Sequence, residues 1–169
     1  MRIVAALALV VAALVAPATA TAALPVVKTT TIVPGRSIAG VKVGMTVAQA
    51  LAAWGTGTTC TAETRQDYCY YRGTERQGDA SFIVDRAGKV VTVTISAGRK
   101  GINLVYAGPL QRWRTKKGIR LGSTTAQVVK AYPNAKGAGY GIQLGSGSRT
   151  TALATSAGRM YQISVGTIG

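Results

Sequence analysis

Histidine is absent from this chain of 169 residues, and carboxylate side chains are scarce. All five acidic residues lie within residues 63–85, so the C-terminal half contains none. Histidine is the side chain whose ordinary pKa best suits proton transfer at neutral pH. Its absence removes the common histidine-dependent catalytic sites and zinc sites. We therefore predict a protein that is not an enzyme and that holds no metal or cofactor.

A carboxylate pair is an acid–base arrangement that this composition leaves open. Four carboxylates lie close together in the sequence: Glu63, Asp67, Glu75 and Asp79. Two of them could serve as the acid pair of a glycosidase. Arginines at positions 65, 72 and 76 are interleaved with them, which favours surface ion pairs instead. The chain also lacks a Ser-x-x-Lys pair and a phosphate-binding loop that ends in Gly-Lys-Ser or Gly-Lys-Thr.

Long apolar runs are missing except at the N-terminus. Residues 3–16 are uninterruptedly apolar after the charge of Arg2, and Pro17 ends the run. A membrane-spanning helix needs about twenty apolar residues, so a retained anchor is disfavoured. Two Ala-x-Ala sites follow, and we predict a signal peptide over residues 1–20, cut after Ala20 or alternatively after Ala22. No cysteine lies nearby to carry a lipid, so we expect a secreted, extracellular protein without a transmembrane helix.

Cysteine is also scarce, with two residues in the whole chain. Cys60 and Cys69 lie nine positions apart, with the turn-prone residues 65–67 between them. In an oxidising compartment, an even number of cysteines at this spacing favours a disulfide within a hairpin. A reactive thiol pair is the alternative, but no Cys-x-x-Cys motif is present. We predict a structural Cys60–Cys69 disulfide.

Positive charge is abundant: 20 lysines and arginines give a formal net charge of +15. Such a field attracts anionic partners, which outside a cell are wall polymers, acidic lipids or acidic proteins. Export argues against nucleic acid. The densest basic segment precedes the second half of the chain, and its predicted anion-binding residues are Arg112, Trp113, Arg114, Lys116 and Lys117. A basic composition that serves solubility alone remains the alternative.

An internal repeat organises the chain. Residues 40–51 align without gaps against 118–129. In each copy a threonine is followed three positions later by a glutamine, the spacing of a capping box, so we predict helices that begin at Thr46 and Thr124. Gly55 and Pro133 end them. Apolar residues at helical spacing predict the buried stripes, which comprise Val47, Ala50, Leu51 and Trp54 in the first copy and Val128, Val129 and Tyr132 in the second.

The copies agree again at 87–95 and 157–165, where apolar and polar residues alternate after an Ala-Gly turn. This pattern predicts that each copy ends in a β-hairpin with one buried face. The offset between the copies falls from 78 residues to 70, so we expect the second copy to have lost the cysteine hairpin.

These patterns predict an α+β fold of two tandem repeats. Each repeat is a short helix packed on a three- to four-stranded antiparallel sheet. We place an N-terminal extension at 21–35, the first repeat at 36–98, a basic connector at 99–115 and the second repeat at 116–169.

The run from Val43 to Leu51, with Gly44-Met45-Thr46 and Gln49, resembles the repeat of the beta-lactamase inhibitory protein family. It is similar, more distantly, to small outer-membrane assembly lipoproteins. The resemblance implies two tandem helix-and-sheet units. It also implies that Asp79, after Gly78 in a hairpin turn, would be the carboxylate that enters a beta-lactamase active site. A solvated turn residue is the alternative for Asp79.

We therefore expect a secreted, non-catalytic binding protein that engages an extracellular or envelope protein through its sheet. The partner implied by the resemblance is a serine beta-lactamase-type or penicillin-binding enzyme. The predicted contact residues are Tyr68, Tyr70, Tyr71 and Asp79. Packing within the sheet is the alternative for the tyrosines. The second hypothesis is an anionic wall polymer or acidic lipid held by the basic connector.

Overall fold

A computed structural model describes residues 23–62, 67–139 and 141–167. The predicted signal peptide and its cleavage sites lie outside the described residues. The described chain is mixed α+β, and none of its helices is long and apolar enough to cross a bilayer. The helices are α1 (Val47–Trp54) and α2 (Thr125–Ala131). The strands are β1 (Thr31–Val33), β2 (Ser37–Ile38), β3 (Val41–Lys42), β4 (Thr59–Ala62), β5 (Asp67–Arg72), β6 (Asp79–Val84), β7 (Val90–Ser96), β8 (Gly98–Lys100), β9 (Asn103–Val105), β10 (Arg114–Thr115), β11 (Lys136–Ala138), β12 (Gly141–Leu144), β13 (Thr150–Ser156) and β14 (Arg159–Gly166).

One eight-stranded antiparallel sheet contains the strands of both repeats, in the order β11-β12-β13-β14-β7-β6-β5-β4. Each repeat supplies four consecutive strands, and the two halves join where β14 pairs with β7. The predicted terminal hairpins are therefore confirmed as β6–β7 and β13–β14. The second copy lacks the cysteines, as expected, but it keeps a hairpin at the corresponding place. The β11–β12 hairpin takes the place of β4–β5, but it is shorter and has no cysteines.

The two helices begin in the same way, as the repeat predicts. Both capping boxes are formed: Gln49 N–H donates to Thr46 Oγ1 at 3.3 Å, and Gln127 N–H donates to Thr124 Oγ1 at 3.2 Å. The residue two positions before each threonine is a glycine with positive φ, +89° at Gly44 and +84° at Gly122. A left-handed φ is inexpensive for glycine, so the chain can turn there into the helix.

Equivalent backbone hydrogen bonds attach each helix start to its own sheet. The Gly44 N–H donates to the Val90 carbonyl at 2.7 Å, and the Gly122 N–H donates to the Met160 carbonyl at 2.7 Å. The bridges Thr46–Lys89 and Thr124–Arg159 are likewise equivalent. The two repeats thus share their internal geometry as well as their sequence motif.

A second, four-stranded sheet in the order β10-β1-β2-β3 connects the repeats beneath the large sheet. Its β1 pairs in parallel with β10, and Ile32 at its centre is 1% exposed. Residues 31–33, which lie in the predicted N-terminal extension, therefore form part of this sheet. The predicted connector 99–115 also contains regular structure: most of the β8–β9 hairpin, a 3₁₀ turn at Pro109–Arg112, and β10.

The core is organised around Trp54 of α1. Its ring lies 5.6 Å from the ring of Tyr71, 6.0 Å from that of Phe82 and 5.6 Å from that of Trp113, centroid to centroid. The indole N–H of Trp54 donates to the Ala39 carbonyl at 3.1 Å, so its polar group is satisfied. The cluster therefore holds α1, β5, β6 and the segment before β10 together.

The second helix covers less of the core than predicted. Val128 is fully buried, but Val129 is 48% exposed, so its assignment to the buried stripe is wrong. Adjacent residues on a helix point about 100° apart, so Val128 and Val129 face different directions. Because α2 has only seven residues, it buries a narrow face. Tyr132 is half-buried and packs against the core edge.

The predicted disulfide is present. Cys60 and Cys69 are directly opposite each other in the β4–β5 pair, with their Cα atoms 4.1 Å apart. A closed loop of this length stabilises the fold by about 2 to 3 kcal/mol in the chain-entropy model. The bridge fixes the outer edge of the large sheet, where β4 has no further neighbour strand in the described chain.

Candidate binding surfaces

The large sheet has one covered face and one open face. Side chains alternate between the faces along each strand, and those facing the helices form the core. The strand registers place the remaining side chains in cross-strand rows. We call this surface the open face. Its main residues are Tyr68, Tyr70, Arg72, Asp79, Ser81, Ile83, Thr92, Thr94, Ser96, Gln143, Thr150, Ala152, Ala154, Gln162 and Ser164.

Four of these residues form a connected row at one end of the open face, which we call the tyrosine row: Tyr68, Tyr70, Arg72 and Asp79. The rings of Tyr68 and Tyr70 stack with centroids 5.8 Å apart, and the Arg72 guanidinium lies 5.2 Å from the Tyr70 centroid. Arg72 Nε lies 3.9 Å from Asp79 Oδ1. The four side chains are therefore neighbours in the order Tyr68, Tyr70, Arg72 and Asp79.

Tyr71 is not part of this surface, contrary to the sequence-based prediction. It is 1% exposed and points into the core beside Trp54. Its hydroxyl donates to the Gly55 carbonyl at the end of α1. Burial raises the pKa of the Tyr71 phenol to about 12, although a hydrogen bond with Thr58 opposes the increase. Neighbouring residues of a strand point to opposite faces of the sheet, so Tyr70 and Tyr71 cannot both lie on the open face.

Asp79 lies on the open face, but not at the tip of a turn. It is the first residue of β6, directly opposite Arg72 of β5, and its side chain is 53% exposed. Partial burial raises the pKa of the Asp79 carboxyl, while Arg72 and a backbone hydrogen bond from Gly73 act in the lowering direction. Asp79 therefore borders the 73–78 turn, and its role as a carboxylate that enters an enzyme active site stays a prediction.

The turn beside Asp79, residues 73–78, packs closely against the rest of the molecule. The Gly73 N–H donates to the Gly78 carbonyl at 3.0 Å. A Cβ on Gly98 would lie 2.5 Å from the Glu75 carbonyl oxygen, so β8 touches this turn directly. A turn held from behind in this way presents a fixed surface beside the tyrosine row.

The other end of the open face is a shallow trough of about 680 Å³. Small residues form its floor, because Gly141 is opposite Ala154 and Ala152 is opposite Gln143. At Gly141 a Cβ would lie 2.0 Å from the Leu153 carbonyl oxygen, so only glycine fits there. Gln143 and Gln162 border the floor with amide groups.

Between the tyrosine row and the trough, the open face is polar and uncharged. Thr94 and Ser164 are hydrogen-bonded across the junction of the two repeats, with their hydroxyl oxygens 2.9 Å apart. Gln162 Nε2 donates to Ser164 Oγ at 3.2 Å. The centre is thus lined by hydroxyl and amide groups that are bonded to one another, and Ser164 itself is only 6% exposed.

A second surface lies on the side of the large sheet that carries α2. It is a groove of about 840 Å³, with the turn 118–123 along it and α2 on one side. We call it the basic groove. Its charged lining residues are Arg114, Lys117, Arg120, Lys130 and Arg159.

The predicted anion-binding stripe only partly coincides with the basic groove. Arg114 and Lys117 line it, whereas Lys116 faces a separate depression beside residues 30–31. Trp113 is 2% exposed and packs on Trp54, so its proposed stacking on a ligand is wrong. Arg112 is exposed at the end of the 3₁₀ turn and does not line the groove.

The prediction also missed three of the groove's cations: Arg120, Lys130 and Arg159. They are far apart in sequence, and the density of charge in one segment does not reveal them. The repeat could have indicated two of them. Arg120 and Arg159 lie in the aligned segments 118–129 and 157–165, which the Thr124–Arg159 bridge brings together.

Among residues 23–62, 67–139 and 141–167, no group of three or more metal-binding side chains is close enough to hold an ion. Comparisons with protein-family models, with curated proteins and with solved structures found no match. The family resemblance therefore rests on the motif residues alone.

Proposed function

We propose that this chain is a secreted, non-catalytic binding protein. In this proposal its open face engages an acidic protein of the extracellular space or the cell envelope. Export is an expectation from the N-terminal sequence, and the disulfide between Cys60 and Cys69 is compatible with an oxidising compartment.

The tyrosine row is the single observation that carries the proposal. Tyrosine and arginine are enriched among the residues that dominate binding energy at protein interfaces. Tyr68 and Tyr70 are held by stacking, and Arg72 is held between Tyr70 and Asp79. Side chains that are already ordered lose less conformational entropy on binding. The row therefore has both the chemistry and the order that an interface requires.

The trough and the polar centre support a protein partner rather than a small ligand. Backbone can approach closely where Gly141, Ala152 and Ala154 form the floor, so a loop of a partner would fit there. A partner that spans the face would contact the trough and the tyrosine row together.

Charge favours an acidic partner. The chain has a net charge of +15, and no carboxylate side chain follows Asp85. Opposite charge on the partner would accelerate the encounter and exclude basic competitors. The resemblance to the inhibitory family makes the proposal more specific, and names a serine beta-lactamase-type or penicillin-binding enzyme as the partner.

Affinity capture tests the general form of the proposal. The immobilised protein is exposed to envelope extract and culture medium of its native host, and recovered proteins are identified by mass spectrometry. Each candidate is then purified, and its dissociation constant is measured against wild type and variants. We expect Tyr70→Ala to weaken binding of the true partner about tenfold or more, a typical effect for an interface tyrosine.

Tyr132→Ala is the matched control, because Tyr132 is also half-buried but lies at the end of α2, away from the open face. It should leave the affinity unchanged. A partner whose affinity falls equally in both variants, or in neither, would contradict binding through the open face.

The more specific form is tested by nitrocefin hydrolysis. The protein should slow a serine beta-lactamase, and Asp79→Ala or Tyr70→Ala should relieve the inhibition. Absence of inhibition across a panel of such enzymes would exclude the beta-lactamase partner while leaving the capture experiment to decide the general form.

A further inference from the structure

We propose that the basic groove is a binding site for a linear polymer of phosphate groups. This site is separate from the open face, and it does not depend on the function proposed there. The ligand class follows from the number, arrangement and fixation of the cations in the groove.

The turn from Gly118 to Ser123 forms the groove. Gly118 and Gly122 adopt φ values of +81° and +84°, so the chain bends sharply at both. The Tyr106 ring covers Gly122, where a Cβ would lie 3.3 Å from Cγ of the ring. Burial raises the pKa of the Tyr106 phenol, and the nearby charge of Arg159 opposes the increase. Tyr106 and Arg159 both line the groove.

Two of the five cations are fixed by the fold. Lys117 Nζ donates to the Ala131 carbonyl at 2.6 Å and lies 4.7 Å from the centroid of the Tyr132 ring. Arg159 Nη1 donates to the Gly122 carbonyl at 3.1 Å. A lysine has three N–H donors and an arginine has five, so most donors of both groups remain for a ligand. A phosphate would meet cations that are already in position.

No carboxylate among residues 23–62, 67–139 and 141–167 lines the groove. Within the described part of the chain the one ion pair is Arg72–Asp79, which belongs to the open face. Five like charges around one recess repel one another, and an anion would relieve that repulsion.

The arrangement favours a polymer over a single phosphate or a membrane. The five cations line a groove of about 840 Å³, which is much larger than one phosphate ion. A chain with regularly spaced negative charges would fill more of the groove and meet more of its cations. A membrane surface would not enter a recess of this kind, and no large apolar side chain that is mostly exposed lies on its lining.

The first repeat supplies an internal comparison. Lys42 and Lys89 occupy the positions of Arg120 and Arg159, but Ala39 and Ala52 stand where the second repeat has Lys117 and Lys130. The corresponding face of the first repeat therefore has two fewer cations. Its two lysines provide a control with the same change of charge in an equivalent place.

Binding to long-chain polyphosphate tests the proposal. The double variant Arg120→Glu/Lys130→Glu alters two exposed side chains that make no hydrogen bond to the rest of the described chain. We expect it to weaken binding about tenfold or more, and wild-type affinity to fall steeply between about 50 and about 200 mM salt, because bound counterions are released. The control Lys42→Glu/Lys89→Glu lowers the net charge equally and should change the affinity less than about twofold. Arg120→Lys should retain binding.

The remaining arms identify the ligand class. Inorganic phosphate should bind far more weakly than polyphosphate, and vesicles of phosphatidylglycerol should not compete at equal phosphate concentration. Equal losses in the two double variants would overturn the proposal, since they would indicate net charge alone. It would also be overturned by the absence of polyphosphate binding, or by vesicles that bind as tightly. Thermal unfolding of each variant verifies that the fold is retained.

Discussion

Gly78 occupies a position where no side chain fits. Its φ is +79°, and a Cβ there would lie 2.0 Å from the Ser96 carbonyl oxygen. That oxygen belongs to a central strand and cannot move away without breaking the β6–β7 pairing. Gly88 provides the contrast, since its φ is +70° and nothing lies within 4 Å of its Cβ position.

We predict that Gly78→Ala lowers the free energy of unfolding by more than about 3 kcal/mol, because strain and collision add. Gly88→Ala should cost only about 1 kcal/mol, the price of the left-handed conformation. Chemical denaturation of both variants measures the difference. Equal losses would show that the backbone near Ser96 yields more easily than the structure implies.

Tyr71 makes stability depend on pH in the alkaline range. Its pKa is raised to about 12 in the folded protein from an ordinary value of 10.0, so the unfolded chain loses its proton first. The stabilisation is complete below pH 10 and is lost as the pH rises from 10 to 12. We predict that the free energy of unfolding falls more steeply in that range for wild type than for Tyr71→Phe. Parallel curves would contradict the assignment.

The tyrosines of β5 show why one prediction from the sequence was wrong. The three tyrosines around Cys69 suggest a cluster, yet the alternation of a strand requires Tyr70 and Tyr71 to point apart. The sequence alone could predict that Tyr70 and Tyr71 lie on opposite faces of the sheet. Which one is buried depends on Trp54, a contact between α1 and β5 that no local pattern encodes. Trp113 was misplaced for the same reason.

At the scale of elements, α2 depends on few contacts. It contains seven residues, and Val128 is its one fully buried side chain. Its other attachments are the capping box of Thr124 and Gln127, the hydrogen bonds at its start, and the bond from Lys117 Nζ to the Ala131 carbonyl at its end. Short helices are marginal by themselves, so packing at Val128 must hold this one.

We predict opposite outcomes for two adjacent valines of α2. Val128→Lys should lower the free energy of unfolding by about 3 kcal/mol or more, because it buries an unpaired charge. Val129→Lys should change it by less than about 0.5 kcal/mol, since this side chain is 48% exposed. Thermal unfolding compares the two directly. A large loss at Val129 would restore the wider stripe that the periodicity indicates.

The local elements were the most predictable part of the fold. Capping boxes, Ala-Gly turns and the cysteine hairpin are each encoded within a few residues, and all three predictions are confirmed. The β11–β12 hairpin was missed because residues 136–144 are rich in glycine and small residues and have little apolar alternation.

At the scale of the whole molecule, the repeats are not separate domains. The small sheet lies beneath the junction of β7 and β14, and Gly35 N–H donates to Thr151 Oγ1 of the other repeat at 2.7 Å. Trp113, from just before β10, completes the aromatic cluster of the first repeat. Each half therefore depends on residues that the other half supplies.

We predict one cooperative unfolding transition for the protein. Phe82→Ala in the first repeat and Ile163→Ala in the second should each shift the same transition, by about 2 to 5 kcal/mol. Tryptophan fluorescence and circular dichroism should report coincident midpoints in both variants. Two separate transitions, each sensitive to one variant, would contradict a shared core.

The basic groove could not be predicted from the sequence, because residues distant in the chain form it. Arg114, Lys130 and Arg159 meet because β10, α2 and β14 converge around one turn. A count of charge along the chain favours the dense segment 112–117, and it cannot distinguish side chains that share a recess from those that point away.

The pairing of β7 with β14 makes the large sheet continuous across the two repeats, and it also covers two strand edges that could otherwise aggregate. Each of these strands satisfies its outer hydrogen-bonding edge only with the opposite repeat. Proteolysis or stalled synthesis could produce half a chain. Its β7 or β14, a strand of seven or eight residues, would then be an unpaired edge strand that can pair with another copy. Duplication within one polypeptide keeps that partner strand attached, so β7 and β14 remain paired in the intact chain.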